Sequence, residues 1–210
     1  MSVRILILAA GDGVRWNKYR GTEKHKVVIE GEVLLERIVK QFSKYSYDIV
    51  IVGNDESYRI DGTTLYVPLK TINFKDMGKF WSSKDAWSKD RTILVFGDTY
   101  FTDEAVETIM KDSREFTFFL RMEGSKITDK PWGEIFSIAF NGSFSEKLKE
   151  TILDIVASDA PLTAGGWHLF NKLKPQYESD FFTEIDDWTD DFDYPINLTQ
   201  WENKRKTKSP

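Results

Sequence analysis

The chain begins with a continuous apolar run, Arg4 to Ala9, that stops at Ala10-Gly11. A run without polar alternation predicts a strand covered on both faces, as in a parallel sheet. Asp48 to Val52 and Thr92 to Phe96 repeat the pattern and stop at Gly53-Asn54-Asp55 and Gly97-Asp98. Thr64 to Val67, Glu115 to Met122 and Glu134 to Phe140 complete the predicted strands. Between them the period lengthens. Glu32 to Tyr45 places Val33, Leu34, Leu35, Ile38, Val39 and Phe42 on one helical stripe. Phe80 to Trp87, Asp103 to Met110 and Ser145 to Val156 also read as helices, and Tyr194-Pro195 breaks the chain before Ile196 to Trp201. Strands alternating with helices predict an α/β chain with a mostly parallel, mixed sheet.

With 210 residues the expectation is one domain over residues 1–202. Residues 203–210 are basic and polar and read as a flexible tail. No apolar run reaches membrane-spanning length and no leader pattern precedes the first strand, so a cytoplasmic location is expected. The net charge of −5 does not suggest a nucleic-acid surface. The chain has no cysteine, which excludes thiolate catalysis and cysteine-held metal. His25 and His168 are too far apart in sequence to suggest a histidine metal site, so a metal would need oxygen ligands. That points to Mg²⁺, with Mn²⁺ as the alternative.

Four segments could carry chemistry. The turn Leu8-Ala9-Ala10-Gly11-Asp12-Gly13-Val14-Arg15 offers small residues, backbone N–H groups and a guanidinium suited to phosphate. It is neither a Walker A loop nor G-x-G-x-x-G, since the third glycine position is Trp16. In Lys24-His25-Lys26 a lysine can return to the same phosphates; a solvated basic patch is the plainer alternative. Asp98 ends a central strand where α/β sheets bind ligands, and is either a metal ligand or a turn cap. Asp190-Asp191-Phe192-Asp193 lies in a segment of eight acids from Glu178 to Asp193, interleaved with Phe181, Phe182, Ile185, Trp188 and Phe192. In extended chain Asp191 and Asp193 share a face and could reach one cation. For an acceptor, Glu134 and Trp167 are candidates, although core packing is the commoner fate of Trp167, Trp81, Trp87 and Trp132.

Together these segments resemble the sugar-nucleotidyltransferase, or nucleotide-diphospho-sugar transferase, superfamily. Leu8 to Arg15 resembles its L-A-A-G-x-G-x-R motif. Lys26 stands before the apolar Val27-Val28-Ile29, and Gly31 to Arg37 resembles the G-x-x-L-L-E-R helix. In size the chain is closer to cytidylyltransferases and molybdopterin-type cofactor guanylyltransferases than to hexose-1-phosphate enzymes. Met77 to Ser83 loosely resembles the choline-phosphate cytidylyltransferase-like branch, while Lys70 to Asp90 carries no clear base-reading stretch. The resemblance implies a Rossmann-like (GT-A-like) three-layer α/β/α fold. It further implies Mg²⁺-dependent transfer of a nucleotidyl group from a nucleoside triphosphate to a phosphorylated small molecule, with release of pyrophosphate. Residues 8–13, Arg15 and Lys26 would then hold the phosphates. Asp98 and Asp193, with Asp191 as the less certain ligand, would hold the metal, and Glu134 and Trp167 would face the acceptor. A GT-A glycosyltransferase and a non-catalytic binding domain are the competing readings. The sequence leaves an oligomer possible.

Overall fold

The computed structural model describes residues 2–11, 13–68, 77–158, 165–177 and 179–208. Eleven strands and six α-helices alternate along the described chain. They are β1 (Val3–Leu8), β2 (Val28–Ile29), β3 (Glu32–Val33), α1 (Leu34–Phe42), β4 (Asp48–Val52), β5 (Thr64–Tyr66), α2 (Gly78–Ser83), β6 (Arg91–Phe96) and β7 (Thr99–Tyr100). Then follow α3 (Asp103–Lys111), β8 (Phe116–Arg121), β9 (Glu134–Asn141), α4 (Ser145–Ala157), α5 (Gly165–Leu173), β10 (Phe182–Glu184), β11 (Asp190–Asp191) and α6 (Pro195–Lys208).

Seven strands form one sheet in the order β10-β8-β9-β6-β1-β4-β5. β1 runs parallel to β4 and β6, while β9 runs antiparallel to both β6 and β8. The sheet is therefore mixed and mostly parallel, as the apolar runs predict. Its two faces are covered differently. Ile5, Ile7 and Ala9 point to the layer holding α1, α3 and α6, where Ile38, Phe42, Ile109, Leu198 and Trp201 bury. Leu6, Leu8, Leu94 and Phe96 point the other way, against Phe80 of α2, Leu148 and Ile152 of α4, and Leu169 and Phe170 of α5. The three-layer expectation is met, and the period-2 alternation of β1 explains which residue joins which layer.

Two expected elements differ. The helix read from Glu32 to Tyr45 is α1 alone, because Glu30 and Gly31 both take positive φ (52° and 82°). Two such residues make a tight hairpin turn, so Glu32–Val33 pairs with Val28–Ile29 before the helix starts. The tail read as flexible lies within α6 as far as Lys208. Proline suits the first turn of that helix, and Lys204 pairs with Asp129 while Arg205 pairs with Glu30.

The chain leaves β1 for β4 on one side and returns to β6 on the other. Ligands of open α/β sheets bind at such a switch point, beyond the carboxyl ends of the strands. Here those ends are Leu8 and Phe96, adjacent in register.

Candidate functional site

A cleft of about 1130 Å³ opens at this switch point. Single-ligand pockets hold roughly 300–1,000 Å³, so there is room for two small substrates. Leu8, Ala10, Gly11, Gly13 and Arg15 from the β1 turn line it, with Lys24, His25, Phe96, Asp98, Glu134, Trp167, Asp191 and Asp193. The turn is anchored by Trp16, 1% exposed, whose indole N–H donates to the Thr22 carbonyl at 3.1 Å. Gly13 has φ 57°, a conformation that favours glycine. Ala9, of the expected set, is not among the residues lining the cleft. Its side chain is buried in the core, and its N–H already donates to Val52 at 2.8 Å. Asp12 lies outside the described residues.

The expected phosphate lysine, Lys26, is not among the residues lining the cleft. Lys26 turns away from the cleft lining, donates to the Ser57 hydroxyl at 2.6 Å, and stacks on the Tyr58 ring at 4.1 Å. The short helical turn Lys24–Lys26 sends Lys24 into the cleft instead, and His25 between them is buried. Burial pushes the His25 imidazole down to about 4, so it is neutral at pH 7. The Lys24 ammonium pairs with Asp98 and lies 3.8 Å from Asp193. Burial works against this ammonium, but Asp98 and Asp193 outweigh it and raise its pKa. Burial likewise works against the Asp98 carboxylate; Lys24 leads the influences that hold it well below the usual range.

Asp98 and Asp193, 95 positions apart in sequence, meet for a structural reason. β11 pairs with β7, which sets Asp191 opposite Thr99, and the Phe192 N–H donates to the Asp98 carbonyl at 3.0 Å. Arg15 then reaches Asp193 at 2.9 Å. Alternation along this segment sorts its acids. Asp190 is fully buried and accepts from Thr128 at 2.9 Å, with Arg121 at 3.4 Å. Asp191 and Asp193 face the cleft, where their carboxylate oxygens and that of Glu134 lie within 4.8 Å of one another.

Lys130, which sequence reading passed over, is buried beside these acids. Its ammonium pairs with Asp191 and lies 3.3 Å from Glu134 and 3.9 Å from Asp190. Asp191 is thereby already engaged, and burial, then Glu134, still push its carboxyl upward. Burial also raises the pKa of Glu134, against the pull of Lys130. The donor set suits a hard divalent cation: all ligands are carboxylate oxygens, and a lysine ammonium already occupies the space between Asp98 and Asp193.

The cleft lining beside Glu134 is aromatic. Trp132 is not core: it is 51% exposed and its indole N–H donates to Glu134 at 2.9 Å. Trp167, at the start of α5, donates to the Gly133 carbonyl at 3.1 Å and packs edge-on against Phe170. The glycines before it are buried helix residues; a methyl group on Gly166 would lie 3.1 Å from Ile135, so they let α5 approach β9.

No protein-family model and no curated protein matches the sequence. Solved structures do match. CTP:phosphocholine cytidylyltransferase from Streptococcus pneumoniae superposes with a TM-score of 0.66 at 16% identity, covering 98% of this chain and 100% of that one. The inositol-1-phosphate CTP transferase from T. maritima gives 0.66 at 17%, covering 100% and 97%. The 2-C-methyl-D-erythritol 4-phosphate cytidylyltransferase from Thermus thermophilus gives 0.61 at 12%, covering 98% and 100%. The chain shares the fold of these structures. On that fold, the cleft at the β1 and β6 ends combines a glycine-bearing turn, three cations (Arg15, Lys24 and Lys79) and four acids (Asp98, Glu134, Asp191 and Asp193). Among the described residues no helix is long and apolar enough to cross a membrane.

Proposed function

We propose that this chain is a nucleotidyltransferase, moving a nucleoside monophosphate from a triphosphate to a phosphorylated small alcohol. The observation that carries the reading is the meeting of Arg15, Lys24, Asp98 and Asp193 in one cleft at the switch point. The three neighbours named above act on phosphocholine, inositol-1-phosphate and a methylerythritol phosphate by their names, which supports a phosphorylated alcohol as the acceptor class.

In this reading an acceptor phosphate oxygen attacks the α-phosphorus of the triphosphate. A new P–O bond forms, the bond to the bridging α,β-oxygen breaks, and that electron pair leaves with pyrophosphate. The nucleophile is already ionised, so no histidine base is required, in keeping with a neutral His25. Positioning and charge neutralisation then dominate catalysis. The N–H groups of Ala10, Gly11 and Gly13 and the Arg15 guanidinium hold the leaving phosphates. Lys24 transfers its ammonium from the acids to the phosphates when these enter. Asp98 and Asp193 would hold Mg²⁺, which supplies Lewis-acid neutralisation of the phosphoryl oxygens. Trp132 and Trp167 would wall the acceptor, with Glu134 accepting from its hydroxyl or cationic groups. A triphosphate donor agrees with a cytoplasmic location.

The test is pyrophosphate release with each nucleoside triphosphate, Mg²⁺ and a panel of phosphorylated alcohols and sugars. Release that needs both substrates is the expected result. Nucleoside diphosphate release from a nucleotide sugar, without pyrophosphate in any combination, would overturn the reading in favour of glycosyl transfer.

A further inference from the structure

Three flexible cations line the cleft: Arg15, Lys24 and Lys79. Two of them are held by acids, Arg15 by Asp193 and Lys24 by Asp98 and Asp193. Lys79, near the start of α2, makes no ion pair among the described residues. Its ammonium instead lies 4.3 Å from the centre of the Phe96 ring and 5.4 Å from that of Phe80. Phe96 ends β6, two residues before Asp98, so this ring places the ammonium beside the acids of the transfer centre. The charges that act on it across the cleft are Asp98, Asp193 and Glu134, which attract it, and Lys24, which repels it. The side chain is exposed, and its ammonium is open to the cleft space.

An aromatic face attracts a cation but satisfies none of its N–H donors strongly. The donors of Lys79 are therefore left to water or to whatever fills the cleft, and an incoming anion would supply both a counter-charge and acceptors. We propose that Lys79 binds a phosphoryl oxygen at the transfer centre, adding a cation from α2 to those of the β1 turn and the Lys24 segment. The inference rests on the nucleotidyl-transfer reading above. The oxygen belongs either to the α-phosphate of the triphosphate or to the phosphate of the acceptor, and both present the same chemistry to an ammonium.

Two measurements test this on the full chain, using Lys79→Met, which keeps the length of the side chain, and Lys79→Arg, which keeps its charge. The first needs no turnover. The lysine ε-methylene resonances of isotopically labelled protein are followed by NMR during titration with inorganic phosphate, and Lys79 is assigned by its loss in the Lys79→Arg variant. A saturable shift of the Lys79 resonance is expected. A shift no larger than that caused by sodium chloride at equal ionic strength would overturn the proposal. The second uses whichever substrate pair the pyrophosphate screen identifies. Lys79→Met should lower kcat/KM about 10- to 100-fold, the scale of one charge-assisted hydrogen bond, and Lys79→Arg should recover most of it. A raised KM for the acceptor alone assigns the acceptor phosphate; a lowered kcat or a raised KM for the triphosphate assigns the α-phosphate. If the wild-type chain releases pyrophosphate and Lys79→Met equals it, Lys79 is not a phosphate ligand although the functional reading stands. If no pair reacts with the wild-type chain, the functional reading fails and the phosphate titration alone decides on Lys79.

Discussion

Replacing Lys24 by methionine removes the ammonium that lies within 4 Å of both Asp98 and Asp193 while keeping the bulk of the side chain. The three side chains are 14%, 17% and 21% exposed, so water screens them only in part. At the 3.8 Å separation from Asp193, the gross attraction is about 4 kcal/mol for an effective dielectric of 20. The ammonium also pays for its own desolvation, and the cleft is open, so the net loss should fall to about 2 kcal/mol, below that of a fully buried pair. For a domain of this size that is a fall of roughly 4–8 °C in Tm at pH 7.5. The loss has a pH signature. Asp98 has its pKa lowered in the folded chain, so in the wild type its contribution is present above the ordinary carboxylate range and lost only as pH falls well below it. Without Lys24 the leading influence on Asp98 is burial, which pushes the pKa up. The carboxyl can then take a proton within or above the ordinary range, and the deficit against wild type should shrink as pH falls towards about 4. A divalent cation should partly replace the ammonium, so millimolar Mg²⁺ should raise the Tm of Lys24→Met by more than it raises that of the wild type. Thermal melts at pH 7.5 and pH 4, each with and without Mg²⁺, measure all three. An equal deficit at both pH values, together with equal Mg²⁺ stabilisation of the two proteins, would refute the view that Lys24 holds a cation site.

Asp98→Asn should leave the circular-dichroism spectrum unchanged and lower kcat by at least about 100-fold, on the scale of losing one preorganised charge in a reacting site; near-normal turnover would remove Asp98 from the metal role. Lys26→Ala, which loses an exposed contact with Ser57 and Tyr58, should keep the KM for the triphosphate within about twofold, whereas Lys24→Met should raise it well beyond that. Asp190→Asn leaves Arg121 buried with a neutral partner and should cost about 3 kcal/mol in urea unfolding, because Asp190 is wholly buried; a loss below about 0.5 kcal/mol would show that the Arg121 guanidinium is satisfied by its bonds to the carbonyls of Asp187 and Thr189.

The sheet was legible because buried parallel strands carry a signal of their own. The runs ending at Ala9, Val52 and Phe96 are apolar on both faces, and no amphipathic helix looks like that. The ends of those runs also marked Arg15 and Asp98, since strand ends are where this fold class places ligands. The sequence could not say which lysine of Lys24-His25-Lys26 enters the cleft. That is decided by a single short helical turn, in which neighbouring side chains point about a third of a circle apart. The same limit applies to Lys79, whose importance comes from Phe96 lying beneath it, a contact made 17 positions further along the chain. Trp167 takes the commoner fate of tryptophan, packed against the core beside Phe170, whereas Trp132 stands exposed at the entry to β9. The acids of 190–193 show the opposite case. Period-2 alternation put Asp191 and Asp193 on one face and, by the same rule, sent Asp190 inward to Arg121. Local geometry is thus readable where a repeating backbone imposes it. It is unreadable where one turn or one distant ring selects among adjacent residues of the same chemistry, and in this cleft the lysines of the lining, Lys24 and Lys79, are of that second kind.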